Sequence, residues 1–447
     1  LADFRPIGEA VQQHCPYVKH FIQFSKEADT IPGAKSYESF VRESMALGAK
    51  NIPAKNSSDS TELWKKYSEL AESIVPTDGA QVIYTTGSTG MPKPALLSHR
   101  NITSQNMCLA AGLGMGGESL KQLCHLPPSH VGCQAEQLMT TFFSGGTAII
   151  LHVFDAEKTL KAIHEYGVET FGQVPAMFHM QWRLPNYSDY NFSSVKKILF
   201  GGQTVTRQFV QQLLDMVPNV GTGLGLSEMA GFVTYTGLKS VADDLISNIG
   251  WWMPVTPLTI RKPMNADGTA GEELPIGETG EICFSGPQVF IDYVNNPEAY
   301  AKTVTKDGIC YTGDLGYITE KGVIFSGRAK FVIKPKGYQI HPGQIEEHFA
   351  ALKDHVAICG AVGAPHDIYS EGVVLFIETK PGADLSRETL EEHAKGIAAY
   401  MRPSHYVLLD PGMFPLNRVA KSDYVKLGEL ARAEVEKLRA GGGWDKE

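Results

Sequence analysis

The chain has 447 residues, 43% hydrophobic and 20% charged, an ordinary soluble composition that excludes a low-complexity or collagen-like protein. Lys plus Arg number 40 against 49 Asp plus Glu, a formal net charge of −9. The pI is near 5.9. This balance argues against a general binder of nucleic acid or anionic membrane, and leaves room for a local basic pocket that holds a phosphate. At about 150 residues per domain, the length suggests roughly three units, or one large domain with a smaller one.

Taken in chain order, the N-terminus has no signal-peptide profile and does not start with Met, so a fragment is one expectation. Val82-Ile83-Tyr84, Ala148-Ile149-Ile150-Leu151 and Ile198-Leu199-Phe200 read as buried strands. Residues 101–111, 155–166 and 207–216 read as helices between them. This alternation predicts an α/β fold with largely parallel sheets. From about Gly277 the strands become short and turn-bounded, as in Glu281-Ile282-Cys283-Phe284 and Gly322-Val323-Ile324-Phe325, which predicts antiparallel pairing. Beyond 327–330 a helix (344–352), strands near 356–362 and 372–378, a helix (386–401) and a strand near 405–409 would close a small α+β domain. A charged helix is expected over 423–439, with Gly441-Gly442-Gly443 ending the order. The best apolar run, 142–154, is broken by two glycines and a histidine, so no membrane span is predicted. Seven cysteines without a CxxC suit no disulfide framework and point to a reducing, cytoplasmic setting.

The strongest local feature is Tyr84-Thr85-Thr86-Gly87-Ser88-Thr89-Gly90-Met91-Pro92-Lys93. Hydroxyls, glycines and a lysine after a strand form a phosphate grip. Glycine lets backbone N–H groups turn toward an anion, hydroxyls donate, and Lys93 supplies a point charge. It is not a Walker loop, because Lys93 lies between Pro92 and Pro94. Gly112-Leu113-Gly114-Met115-Gly116-Gly117 matches GxGxxG but follows a helix rather than a strand, so no dinucleotide site is read there. Gly225-Leu226-Ser227-Glu228-Met229 fails the hydrolase pattern GxSxG at its last position.

At this loop the chain resembles the adenylate-forming superfamily, in its acyl- and aryl-CoA synthetase branch. Further segments resemble that family's motifs in the family's order. These are Gly201-Gly202-Gln203, Leu224-Gly225-Leu226-Ser227-Glu228, Gly280-Glu281-Ile282 with Tyr293-Val294-Asn295-Asn296-Pro297-Glu298, and Tyr311-Thr312-Gly313-Asp314. Gly327-Arg328 follows, then Ile333 to Pro342, and finally Asn417-Arg418-Val419-Ala420-Lys421. The resemblance implies a large adenylation domain (1–327) of stacked α/β layers with a small β-rich subdomain. It also implies a hinge (328–330) and a small mobile α+β lid domain (331–447). Several residues depart from the pattern: Pro94 stands for Gly, Leu224 for an adenine-stacking Tyr, Ala420 for Gly and Gln344 for Glu. A sizeable N-terminal portion is also missing, through truncation or because the chain is an unusually short member.

The resemblance further implies ATP-dependent activation of a carboxylic acid through an acyl-adenylate, then thioester formation with CoA and release of AMP and pyrophosphate. Loading of a carrier protein, or a non-catalytic nucleotide- or acyl-binding role, is the alternative. Thr85, Thr86, Gly87, Ser88, Thr89, Gly90 and Lys93 would hold ATP phosphates. Gly201, Gly202, Gln203, Leu224, Gly225 and Ser227 would line the nucleotide, and Asp314 and Arg328 its ribose and phosphate. Lys334 and Gly337, in the hinge motif, would also contact nucleotide or CoA. Glu228 would ligate Mg²⁺. His130 would stand in the acyl site, and Lys421 would bridge substrate carboxylate and α-phosphate. Gly132 falls where peptide-synthetase domains carry an Asp for an α-amino group, so an α-amino acid is not the expected substrate. Trp251-Trp252 could wall a pocket or pack in the core. Aliphatic, alicyclic and aromatic acids all stay open, as does a homodimer.

Overall fold

The structure is a computed structural model, and it describes residues 5–24, 29–51, 61–85, 92–114, 120–203, 205–239, 241–335, 338, 340–417 and 421–445. The chain divides into two units, Leu1–Val75 and Pro76–Glu447. The first holds helices Arg5–His14, Tyr37–Asn51 and Thr61–Ser73 and a short parallel pairing of Ile22–Gln23 with Lys35–Ser36. Phe24 stacks on Tyr37 with ring centroids 4.5 Å apart.

In the second unit the predicted strand–helix alternation produces a five-stranded parallel sheet. Its order is Thr147–Ile150, Lys121–Cys124, Thr170–Gln173, Lys197–Phe200 and Val220–Gly221. Helices Ala156–Tyr166 and Arg207–Met216 start at Asp155 and Thr206, whose side chains accept backbone N–H groups of the first turn. Their apolar stripes bury Ala162, Ile163, Phe209, Val210 and Leu213 with Phe171 and Ile198 of the sheet. A six-stranded antiparallel sheet follows, ordered Thr234–Tyr235, Asn248–Trp252, Gly322–Arg328, Cys310–Thr319, Gly280–Phe284 and Leu258–Arg261. The smaller C-terminal domain is built on strands Val356–His366, Ser370–Thr379 and His405–Leu409, with helices Pro342–Ala350 and Tyr424–Ala440 against them. The architecture is the expected mixed α/β one, a large domain with a small α+β domain after it.

Three local expectations are corrected. The strand containing Val82-Ile83-Tyr84 is not buried on both faces and does not join the parallel sheet. It spans Gly79–Thr85, pairs antiparallel with Lys93–Ser98, and alternates Ile83 at 3% exposure with Val82 at 44% and Tyr84 at 62%. The helix expected over 386–401 stops at Ala394, and a single turn, Ala399–Met401, follows. Gly396 interrupts it because the His348 ring needs the space: a Cβ at Gly396 would lie 2.8 Å from His348 Cε1. Order does not end at the triple glycine. Trp444 is buried and donates from Nε1 to the Pro365 carbonyl at 2.9 Å, and Asp445 pairs with Arg439 at 2.7 Å.

Candidate active site

The sheet ends and turns of the second unit converge on a cleft of about 2480 Å³. Strand Gly79–Thr85 enters the phosphate-grip loop and Lys93–Ser98 leaves it. Thr85 is buried, its Oγ1 accepts the Lys93 N–H at 3.4 Å, and both residues line the cleft. Thr86, Gly87, Ser88, Thr89 and Gly90 lie outside the described residues, as does Gly337. Pro94 opens the returning strand opposite Tyr84, and its carbonyl accepts from Val294 N–H at 2.9 Å. Near a strand's start the missing N–H is tolerated.

Glu228 sits on the single turn Ser227–Met229, held between the short antiparallel strands Gly225–Leu226 and Gly231–Phe232. Its Oε1 accepts the Tyr293 hydroxyl, and the Lys93 ammonium lies 4.8 Å from the centroid of the same Tyr293 ring. Tyr293 is therefore a buried post between the phosphate lysine and the acid. Burial and the neighbouring Glu228 push its own pKa far up, so it remains a donor. The Tyr293 hydroxyl occupies one Glu228 oxygen and fixes the carboxylate at the cleft wall.

Asp314 faces Arg328 across the strand register, with Arg328 Nε 3.0 Å from Asp314 Oδ1. The angle is too poor for a hydrogen bond, and neither carboxylate oxygen has a hydrogen-bond partner among the described residues, although Asp314 is 1% exposed. A buried carboxylate in that state suits a vicinal diol bringing two donors. Burial raises its pKa, while Arg328 and Lys421 pull it down.

Lys421 reaches the same place from the C-terminal domain. Its backbone is clamped by Asn417, whose Oδ1 accepts the Lys421 N–H at 3.0 Å and whose own N–H donates to the Lys421 carbonyl at 2.8 Å. The ammonium is buried against Gly202: a Cβ there would lie 2.7 Å from Nζ. Burial first, then Arg328, lowers its pKa to about 8, against the pull of Glu136 and Asp314. Lys330 is likewise lowered to about 8 by burial and then by Arg328 and Lys93. Lys93, Arg328 and Lys421 line the cleft with Lys330 beside it; Arg328 opposes the charge of both Lys421 and Lys330, an arrangement suited to a polyanion.

His130 lines the cleft, its Nδ1 accepting the Gly132 N–H at 3.0 Å. Burial, then Lys421, lowers its pKa to about 4, so it is neutral near pH 7. Gly201, Gly202, Gln203, Gly225 and Ser227 also line the cleft. Leu224 packs against the core of the antiparallel sheet instead, and Lys334 is tied through its backbone N–H to Glu371 at 2.6 Å. Neither is among the cleft's lining residues. Trp252 packs on that core too, and Trp251 is 44% exposed.

Two residues escaped the sequence reading. Tyr293 was quoted within a motif but given no role. Glu136 lies one turn after Gly132 on the π-helix Gly132–Met139, facing the cleft. Burial raises its pKa to about 7, against the Phe232 N–H and Lys421. Its spacing from Gly132 was the available signal.

Comparison with known proteins bears on the whole cleft. The family described as AMP-binding enzyme matches residues 18–294, and the AMP-binding enzyme C-terminal domain matches 344–421. A probable CoA ligase of Humulus lupulus is 29% identical over 362 residues, covering 78% of this chain and 64% of the relative. A 4-coumarate–CoA ligase of Oryza sativa subsp. japonica is 29% identical over 337 residues, covering 73% and 61%. The chain therefore spans less than two thirds of the length of these relatives. Among solved structures, ATP-bound MatB from Rhodopseudomonas palustris superposes with a TM-score of 0.71 at 24% identity, over 80% of this chain and 69% of that one. The anthranilate CoA ligase AuaEII with anthranoyl-AMP gives 0.78 at 17% identity, over 97% and 77%. With its grip loop and its inserted lysine in the matched segments, and its Asp314–Arg328 pair between them, the chain belongs to the AMP-binding enzyme family of the adenylate-forming superfamily.

Proposed function

We propose that the protein is an AMP-forming acid–CoA ligase: it joins a carboxylic acid to AMP from ATP, releases pyrophosphate, and passes the acyl group to the thiol of CoA. The observation that carries this reading is the burial of Lys421 against Gly202, beside His130 and within the field of Asp314 and Arg328. Adenylation drives a carboxylate against a polyphosphate, so an ammonium must sit between two anions before they react. Lys421 fits because it is desolvated yet still largely charged near pH 7.

In this reading Asp314, ion-paired to Arg328 through Oδ1, accepts the ribose hydroxyls with oxygens that make no hydrogen bond among the described residues. Arg328 and Lys93 neutralise phosphate oxygens, and Gly201-Gly202 form the wall along which acid and nucleotide meet. His130, held neutral with Nδ1 occupied, offers its other ring nitrogen to the acyl site. Mg²⁺ would be held by Glu228 and phosphate oxygens, where it would offset charge on the departing pyrophosphate. We assign the change between half-reactions to 328–330. There the small domain, 331–447, would swing away from 1–327, withdraw Lys421 and admit the thiol. Among the described residues no helix is long and apolar enough to cross a membrane.

The test is a panel of aliphatic, alicyclic and aromatic acids with ATP, with and without CoA, followed through AMP and pyrophosphate. Acid-dependent pyrophosphate exchange, and AMP release that rises with CoA, are expected. A protein that binds ATP but shows no exchange with any acid would refute the reading.

A further inference from the structure

Glu136 points to what kind of acid the cleft receives, an inference that rests on the adenylating reading above. The π-helix carrying it is fixed on two sides. Gln137 Oε1 accepts the His125 N–H at 3.0 Å, and its Nε2 donates to the Gly172 carbonyl at 2.7 Å. Asn106 Nδ2 donates to the Ala135 carbonyl at 2.7 Å and to Thr140 Oγ1 at 2.9 Å. Widened helical turns of this kind recur at functional sites because they re-aim side chains.

The Glu136 carboxylate lies between two glycines. A Cβ at Gly231 would sit 2.5 Å from Oε1, and one at Gly132 3.5 Å from Oε2. The Gly231 flank must stay bare for the carboxylate, and its φ of +129 strains any L side chain, whereas Gly132 stands at ordinary contact distance. The Phe232 N–H supports the carboxylate. Among the described residues no basic side chain forms an ion pair with it. Lys421 is the cation whose field it feels, and adenylation commits that ammonium to the substrate carboxylate and the α-phosphate.

A second acceptor faces the same cleft. Gln122, on strand Lys121–Cys124, is 3% exposed and lines the cleft, and its Oε1 has no hydrogen-bond partner among the described residues. Side chains two apart on a strand share a face. Cys124, on that face with Gln122, is close enough to Cys133 of the π-helix and to Thr141 to be influenced by both. Gln122 therefore looks toward the helix that bears Glu136. Beside Gly201 the wall is apolar and tight: the Phe232 ring lies 2.9 Å from where a Gly201 Cβ would stand.

We propose that Glu136 is the specificity-determining residue of the acyl pocket, and that the carboxylic acid taken there carries an amino or hydroxyl group that donates a hydrogen bond to it. An apolar acid would leave the Gln122 Oε1 unpaired and the Glu136 carboxylate with only the Phe232 N–H, whereas a donor-bearing acid adds a partner. Sites built around buried polar groups discriminate strongly for this reason. Burial holds the Glu136 carboxyl near neutrality in the free protein, so a bound ammonium or hydroxyl would also draw it back into its charged form.

The experiment uses the purified protein and three frameworks, benzoic, cyclohexanecarboxylic and pentanoic acid. Each is supplied as the parent, as a ring- or ω-hydroxy acid and as a ring- or ω-amino acid, with pyrophosphate exchange as readout. In at least one framework a donor-bearing acid should exceed its parent by about tenfold or more in kcat/KM. Glu136→Leu should erase that ratio while leaving the KM for ATP unchanged. Glu136→Gln should keep a hydroxyl preference and lose an ammonium one, which separates the two donors. Exchange with parent acids as fast as with every donor-bearing partner overturns the inference and leaves the adenylating reading intact, and this wild-type comparison holds even if a variant fails to fold. A wild-type ratio retained in Glu136→Leu overturns it equally. Absence of exchange with every acid sinks both.

Discussion

Lys421 Nζ and Gly202 occupy one another's space: a Cβ on Gly202 would lie 2.7 Å from the ammonium nitrogen and 2.4 Å from Cε. Gly202 also holds φ +93, the left-handed region that glycine tolerates. The last motif of the chain thus needs an empty position in one of the middle motifs. Gly202→Ala pushes aside the free end of the flexible Lys421 side chain and strains the backbone at φ +93, so its melting temperature is measured beside wild type. It should cut acid-dependent pyrophosphate exchange by about 100-fold, the usual effect of an ångström-scale misplacement of a reacting group. Exchange within a few-fold of wild type would show that the lysine does not act from this seat.

The ammonium itself is tested by substitution and by pH. Lys421→Ala should lower exchange by about 10²–10³ and spare thioester formation from a supplied acyl-adenylate. Equal loss of both half-reactions would contradict the role. Because burial and Arg328 depress the Lys421 pKa to about 8, the active charged form is lost as pH rises through that value. The kcat/KM for exchange should then fall about tenfold per unit above it. Bound ATP adds negative charge, opposes the effect of Arg328 and moves the alkaline limb of kcat upward. A flat kcat/KM profile from pH 7 to 10 is the outcome that excludes this assignment.

Tyr293 ties the metal position to the phosphate position, since one buried ring donates to Glu228 and lies under Lys93. Tyr293→Phe keeps the ring and removes the donor, freeing the Glu228 carboxylate to rotate. Loss of such a supporting hydrogen bond typically costs about 10–100-fold in metal affinity. The Mg²⁺ concentration for half-maximal exchange should rise by about tenfold, with excess Mg²⁺ restoring most of the rate. An unchanged Mg²⁺ titration would leave Tyr293 a packing residue.

The sequence made some of this legible and hid the rest for physical reasons. Two of the five parallel strands, 147–150 and 197–200, were readable from their apolar runs, and helices 156–166 and 207–216 because apolar period and N-cap residues agree there. Asp314, Glu228 and Lys421 were readable as members of an ordered motif series. What packs across the fold was not. Glu136 looks like any helical surface glutamate until Gly231, nearly a hundred residues on, is found to leave room for its carboxylate. Leu224, expected at the nucleotide, is half-buried and packs against the core of the antiparallel sheet, as an aliphatic side chain next to apolar neighbours will. The triple glycine read as an end because glycine disfavours order locally, yet Trp444 beyond it has an apolar seat and a carbonyl to bond.

The swing assigned to 328–330 gives the last prediction. Lys330 lies in the single turn Ala329–Phe331, its ammonium 4.6 Å from the centroid of the Phe331 ring, between a strand that supplies Arg328 and the domain that supplies Lys421. A hinge must change φ there, and proline fixes φ near −65° and removes the N–H. Lys330→Pro should therefore hold the small domain where Lys421 is seated. Pyrophosphate exchange should persist within a few-fold, while CoA-ester formation falls by at least about 100-fold. Since Lys330→Pro also removes a cation in the field of Arg328 and Lys93, Lys330→Ala is the control: it loses the charge and keeps the freedom of the backbone. If both variants form CoA ester at wild-type rates, the rotation does not pass through this residue.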